Sequence, residues 1–142
     1  MNKVYPKWSE LPNLDLYLDQ VLLYVNQLDS SCIIDDDKGL TSAMINNYVK
    51  NGHLEKPIKK KYSRKQLARL IVITCLKNVF SIQEISKTIN SLTEEESSEI
   101  MYNNFVMCMN GEMRDGLPEV IVAACDTVRL YKKTHDLVEK IK

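Results

Sequence analysis

The sequence has few of the residues that cross-link a chain or bind metals. It contains four cysteines and two histidines among 142 residues, and no two cysteines form a CxxC pair. A structural zinc site needs more closely spaced ligands, so we expect no metal and no cofactor. Cys75 and Cys125 are interpreted as buried apolar residues, with a redox-sensing pair as the alternative.

Long apolar runs and catalytic motifs are also absent. The longest apolar stretch, LARLIVITCL, is far shorter than the roughly 20 residues that a membrane helix needs. The N-terminal MNKVYPKWSELPNLDLYL has no apolar run after its lysines and does not resemble a secretory signal. The sequence contains no GxGxxG, P-loop or HExxH motif. We therefore expect a cytoplasmic protein that is not an enzyme and does not bind membranes.

The composition is that of a folded chain with an uneven charge distribution. Apolar residues make up 44% and charged residues 27%, so we expect a single domain over 1–142 with its own core. The formal net charge is zero, but residues 41–78 hold nine basic residues and one acidic residue, Glu55. Concentrated positive charge is what an anion-binding surface requires, although a solvated basic loop is the simpler alternative.

Apolar periodicity predicts an all-α chain with one small β excursion. The predicted helices span 13–29, 42–51, 64–79, 82–91, 94–109 and 118–141. Thr41 is a candidate N-cap, and capping boxes are predicted at Ser63–Gln66, Ser81–Glu84 and Thr93–Glu96. Residues 30–39 are predicted to form an acidic loop, and 53–62 an extended basic segment with a short strand near Ile58.

Helix 42–51 has two unlike faces when it is projected at the helical repeat. Met44, Ile45, Tyr48 and Val49 gather on one side, which we expect to dock the helix. The opposite side holds small and amide side chains, although Asn costs about 0.5 kcal/mol relative to Ala in a helix. The donor and acceptor of an Asn amide match the major-groove edge of adenine, so this side is a candidate base-reading face; a generic exposed face is the alternative.

The lysine-rich segment after this helix predicts a basic wing over residues 56–65, as in a winged helix-turn-helix. The wing would hold phosphates, while the helix faces the bases. The residues predicted to contact DNA are Ser42, Ala43, Asn46, Asn47, Lys50, Lys59, Lys60, Lys61, Tyr62 and Arg64. The winged helix-turn-helix core is predicted over 13–90 and a helical extension over 93–142.

Two family resemblances follow from these motifs. Roughly residues 40–90, with the run TSAMINNYVKNGHLEKPIKKKYSRKQLARLIVITCLKNVFSIQEISKTI, resemble the DNA-binding domain of MerR-type transcription regulators. The resemblance places Tyr48, Lys50, Gly52 and Leu54 at the end of the recognition helix. Asn46 stands where that family usually carries arginine, and Asn47 where it carries an aromatic residue. This departure predicts either that different bases are read or that base reading is weaker. Residues 11–135, with LPNLDLYLDQV and LTSAMINNYVKNG, resemble the bacterial family catalogued as domain of unknown function 1836, some members of which are treated as transcription regulators.

The C-terminal half is predicted to dimerise or to bind an effector. A 4-3 apolar repeat predicts a homodimer seam, with packing inside the chain as the alternative. Its residues are Leu117, Ile121, Ala124, Val128, Tyr131 and Val138. The methionine-rich segment 99–113 is either core filling or part of a pocket for an unknown small-molecule effector.

These features together favour a sequence-specific regulator that binds double-stranded DNA. A protein-interaction module without DNA binding is the alternative, and an exposed apolar patch in the C-terminal half would mark it. RNA binding is disfavoured, because only Tyr62 supplies an aromatic ring in the basic segment.

Overall fold

The computed structural model describes residues 5–28 and 39–142, and these residues form six α-helices and one small antiparallel sheet. The helices are α1 (Leu18–Gln27), α2 (Ser42–Lys50), α3 (Arg64–Leu76), α4 (Ile82–Glu95), α5 (Ser98–Met109) and α6 (Glu119–Glu139). The strands are β1 (Leu16–Tyr17) and β2 (Lys61–Tyr62), and a short 3-10 helix spans Trp8–Glu10. The predicted all-α architecture with a small β element is confirmed. The acidic loop predicted at 30–39 lies almost entirely outside the described residues.

Helix α3 is the centre of the core. Nearly every residue from Gln66 to Leu76 is buried, and α1, α4, α5 and α6 all pack against this helix. Its N-terminus carries the predicted capping box, in which Ser63 N donates to Gln66 Oε1 at 2.7 Å. The helix ends at Leu76, three residues before the predicted end.

The first helix begins later than its apolar spacing predicts. Leu16 and Tyr17 pair with Tyr62 and Lys61 as β1 and β2, and this pairing requires extended backbone. The Gln20 side chain then accepts a hydrogen bond from Tyr17 N at 2.9 Å and fixes the start of α1 at Leu18. The prediction of a helix from residue 13 was therefore wrong.

The capping predictions have mixed outcomes. Thr41 accepts a hydrogen bond from Met44 N at 3.2 Å, and Ser81 forms the predicted capping box with Glu84. The box predicted at Thr93–Glu96 was wrong, because α4 continues to Glu95 and the Thr93 hydroxyl donates to Ile89 O at 2.8 Å inside it. Ser97 caps α5 instead, accepting from Ile100 N at 3.1 Å.

Residues before β1 bind to α5, far away in the sequence. The Asn110 side chain bonds to both backbone groups of Tyr5, accepting at 2.7 Å and donating at 3.1 Å. Tyr102 Oη donates to Pro6 O at 2.8 Å, and Asn103 Oδ1 accepts from Trp8 N at 2.9 Å. Residues 5–8 are therefore tied to the same core as α5.

Helix α6 packs on α5 and α3 through one side of its N-terminal half. Ile121, Cys125 and Val128 are buried, so the predicted dimer seam is occupied inside the chain at Ile121 and Val128. The C-terminal part of α6 is mostly exposed.

The buried state of Cys75 and Cys125 is confirmed, and Cys108 is buried as well. Burial raises the pKa of the Cys125 thiol. None of the helices within residues 5–28 and 39–142 is long and apolar enough to cross a membrane.

Candidate nucleic-acid interface

Helix α2 is oriented as its sequence predicts. Ile45 and Tyr48 are buried, while one face is exposed along the whole helix. We call this exposed face the amide face; it consists of Ser42, Ala43, Asn46, Asn47 and Lys50. The amide face has no acidic residue, so a phosphate backbone could approach it without charge repulsion from α2.

The two asparagines of the amide face differ in their hydrogen bonding. Asn51 Nδ2 donates to Asn47 Oδ1 at 2.8 Å and to Asn47 O at 3.0 Å. The Asn46 side chain forms no hydrogen bond within the described part of the chain, so both its donor and its acceptor are available to a ligand. Asn46 is therefore the better candidate for reading a base edge.

Asn26 fixes the approach to α2, a role that its sequence position does not reveal. Its Nδ2 donates to Leu40 O and its Oδ1 accepts from Leu40 N, both at 2.9 Å. Asn26 lies on α1, so this reciprocal pair ties the residue before Thr41 to the helix on which α2 packs. The orientation of the amide face thus depends on an α1 side chain.

A tight two-residue turn presents Lys59 and Lys60 to solvent. Ile58 N donates to Lys61 O at 2.9 Å and Lys61 N donates to Ile58 O at 3.0 Å, which closes a short hairpin. Lys59 has φ +51° and Lys60 φ +68°, both in the left-handed region. Left-handed backbone costs roughly 1 to 2 kcal/mol per non-glycine residue, and turns of this kind favour Asn-Gly. Two lysines here are poor choices for stability, so a role for their charges is favoured.

Gln66 and Arg69 hold the segment between α2 and the turn against α3. Gln66 Nε2 donates to Glu55 O at 2.8 Å and to Lys56 O at 3.0 Å. Arg69 Nε donates to His53 O at 2.6 Å, and its Nη2 donates to Ser86 Oγ at 3.0 Å. Desolvation lowers the Arg69 pKa. The sequence predicted only the capping role of Gln66. Its hydrogen bonds to residues ten and eleven positions away could not be predicted, because they leave no local sequence pattern.

Three of the predicted contact residues have structural partners of their own. Tyr62 is buried at 4% exposure, and burial raises its pKa, so it supports the hairpin from within the core. Arg64 donates to Pro12 O and Leu11 O, both at 3.4 Å. Its Cζ lies 6.0 Å from the centre of the Trp8 ring. Lys61 Nζ lies 5.1 Å from the centre of the Tyr17 ring.

The remaining cations of this region form the free basic surface. Lys65 forms an ion pair with Glu55 at 3.3 Å, which partly neutralises it. Within the described residues, Lys50, Lys56, Lys59 and Lys60 are exposed and have no hydrogen-bond or ion-pair partner. Lys56 lies within the predicted wing 56–65 but was not named among the predicted contacts. We define the basic surface as these four lysines.

A known protein family includes the region that carries the amide face and the basic surface. A family model described as "Domain of unknown function (DUF1836)" matches residues 6–105. The chain belongs to the DUF1836 family. No curated protein and no solved structure matches it. The DUF1836 match includes the amide face and the basic surface but ends within α5, so α6 lies beyond it.

The described residues of this DUF1836 chain also line cavities elsewhere. A cavity of about 280 Å³ at the end of α5 is lined by Cys108, Met113, Arg114 and Arg129, among others. No group of three or more metal-ligating side chains occurs within residues 5–28 and 39–142. The amide face and the basic surface are therefore the strongest candidate site in the described part of the chain.

Proposed function

We propose that the protein is a sequence-specific DNA-binding transcriptional regulator with a winged helix-turn-helix of the MerR-like kind. The element order supports this proposal: α1, α2, a tight hairpin and α3 follow one another as the helices and wing of such a domain do. Both α2 and β2 pack against α1, which gives the candidate reading helix and the hairpin a common base.

The observation that carries the proposal is the pair of lysines in left-handed turn positions. They make the hairpin less stable than Asn-Gly would, and they present two unpaired cations next to other unpaired cations. Phosphate contacts by such lysines supply sequence-independent affinity that falls with salt. The amide face, with its unpaired Asn46, supplies the means to discriminate between bases.

DNA binding is tested by fluorescence anisotropy with labelled duplexes that tile the DNA upstream of the protein's own gene, at several salt concentrations. We expect one tile to be bound more tightly than scrambled DNA. Lys59→Ala and Lys60→Ala should each weaken binding to all duplexes and reduce the salt slope by about one unit.

Asn46→Ala should mainly reduce the preference between sequences. The matched control is Lys87→Ala, which removes an exposed lysine on α4 outside the basic surface. If Lys87→Ala weakened binding as much as Lys59→Ala, the basic surface would not be the DNA contact. If no duplex bound at low salt, the DNA proposal itself would fail.

The second candidate is a protein-interaction module that keeps this shape without binding DNA. It is favoured by the exposed apolar side chains of the C-terminal half, with Leu130 at 63% and Val138 at 57% exposure. In this case anisotropy would show no salt-sensitive DNA binding.

A further inference from the structure

An uncharged stripe runs along the exposed side of α6. Its residues follow one another at alternating intervals of three and four, and every one is exposed: Val120, Ala123, Thr127, Leu130, Thr134 and Leu137. This alternation is the spacing of core positions in a coiled coil. No other described part of the chain covers this α6 stripe.

The α6 stripe is distinct from the side of α6 that binds the core. Ile121, Cys125 and Val128 face α5 and α3, and each follows a stripe residue by one or two positions. Thr127, a polar member of the stripe, donates its hydroxyl to Ala123 O at 2.7 Å. A second helix could therefore cover Thr127 without leaving its hydroxyl proton unpaired.

The two borders of the α6 stripe differ in charge. One border carries Glu119, Asp126, Lys133 and Lys140 at seven-residue intervals, with both acids in the first half and both lysines in the second. The other border carries the uncharged residues Ala124, Tyr131 and Val138. The charge therefore reverses along one border only.

This pattern selects a partner helix and its direction. If a second α6 lies antiparallel, Glu119 faces the partner's Lys140 and Asp126 faces the partner's Lys133. The same register places Val120 opposite the partner's Leu137. In a parallel pair, each charged border would instead face an uncharged one, and no ion pair would form.

We propose that the α6 stripe docks against α6 of a second copy of this chain as an antiparallel two-helix pair. The interface is isologous, so each favourable contact occurs twice about a two-fold axis. Asp126 already accepts from Arg114 at 2.7 Å and from Arg129 at 3.3 Å, so the pair between Glu119 and the partner's Lys140 supplies most of the directional preference. The proposal rests on α6 alone and does not depend on DNA binding.

Sedimentation equilibrium of the full chain tests the surface. We expect the native chain to dimerise, and Leu130→Glu to raise the dissociation constant about 100-fold, because two leucines per dimer would lose their apolar cover. Leu23→Glu on α1 is the matched control, since Leu23 is 61% exposed and Leu130 63%. This control should dimerise like the native chain. A native chain that stays monomeric at roughly 100 µM, or a Leu130→Glu variant that dimerises normally, overturns the proposal.

Cysteine cross-linking tests the direction. In the antiparallel pair, the two copies of residue 120 lie about 25 Å apart, beyond the reach of a disulfide. We expect a mixture of Val120→Cys and Leu137→Cys chains to cross-link under mild oxidation, and neither variant to do so alone; the native chain controls for its own cysteines. Cross-linking of Val120→Cys by itself would show a parallel pair and overturn the antiparallel proposal.

Discussion

Helices α2 and α6 each leave one face exposed, but these faces have opposite chemistry. The amide face of α2 carries small and amide side chains with Lys50 near its end, whereas the α6 stripe carries valine, leucine and threonine. Each helix also buries an apolar side in the same core. The difference therefore lies in the outward faces rather than in how the helices are anchored.

The contrast indicates two kinds of partner. An exposed amide or ammonium group is well hydrated in the free protein. The partner surface that it binds best is polar and anionic. Exposed leucines at regular spacing gain most when another apolar surface covers them. This contrast is the reason that DNA is proposed as the partner of the amide face and a second copy of the chain as the partner of the α6 stripe.

Removal of the Gln66 amide should have the largest effect, because it would release the segment between α2 and the turn from α3. The change Gln66→Met keeps the side-chain length but loses three hydrogen bonds, to Glu55 O, Lys56 O and Ser63 N. At about 1 kcal/mol each, the free energy of unfolding should fall by about 3 kcal/mol, as measured by urea denaturation.

The matched control is Gln83→Met, which changes an exposed glutamine on α4. Its effect should stay within about 0.5 kcal/mol. Equal losses in the two variants would mean that Gln66 does not hold this segment, and the basic surface would then lack a rigid base.

Replacement of the turn lysines should stabilise the protein while weakening DNA binding. The variant Lys59→Asn/Lys60→Gly supplies the residues that a left-handed two-residue turn prefers, so the free energy of unfolding should rise by about 1 to 2 kcal/mol. The salt slope of DNA binding should fall by about two units, because two phosphate contacts are lost.

The control Lys59→Gln/Lys60→Gln removes the same charges without relieving the backbone. Its DNA binding should fall as far, while its stability should match that of the native chain. If the Asn-Gly variant kept full DNA affinity, the left-handed lysines would not be the phosphate contacts proposed here.

The smallest expected effect concerns the pH dependence of stability that arises from Asp126 on α6. Hydrogen bonds from Arg114 hold the pKa of Asp126 below its usual value. A carboxyl with a lowered folded-state pKa stabilises the fold at neutral pH, and this contribution is lost as the pH falls through the acid range. We therefore expect Asp126→Asn to reduce the difference in stability between pH 7 and pH 3, measured by thermal unfolding. Arg114→Gln removes the same hydrogen bonds from the other partner and should reduce that difference to a similar extent.

Local signals in the sequence predicted much of the fold. Thr41, Ser63 and Ser81 cap helices as predicted, because a cap depends on residues three positions apart. The two faces of α2 followed from its periodicity. The start of α1 and the capping of α5 were missed, because the first depends on pairing with β2 and the second on where α4 ends.

The candidate site was only partly predictable for the same physical reason. Exposed lysines and amides could be chosen from composition and helical projection. The clamps made by Asn26, Gln66 and Arg69 could not, because each joins segments ten or more residues apart. On α6 the predicted seam included the buried Ile121 and Val128, because an apolar repeat alone does not distinguish the inward side of a helix from the outward side.

The hydrogen bonds of the N-terminal segment to α5 have a consequence for the order of folding. Tyr5 bonds to Asn110 across 105 positions, and Trp8 bonds to Asn103 across 95. During synthesis, Tyr5 and Trp8 must therefore wait for α5 before they find these partners. A chain that leaves α5 unfinished would keep Tyr5 and Trp8 without these contacts, even if α1 to α3 had already formed. These contacts join segments about 100 residues apart, and long-range closure of this kind slows folding.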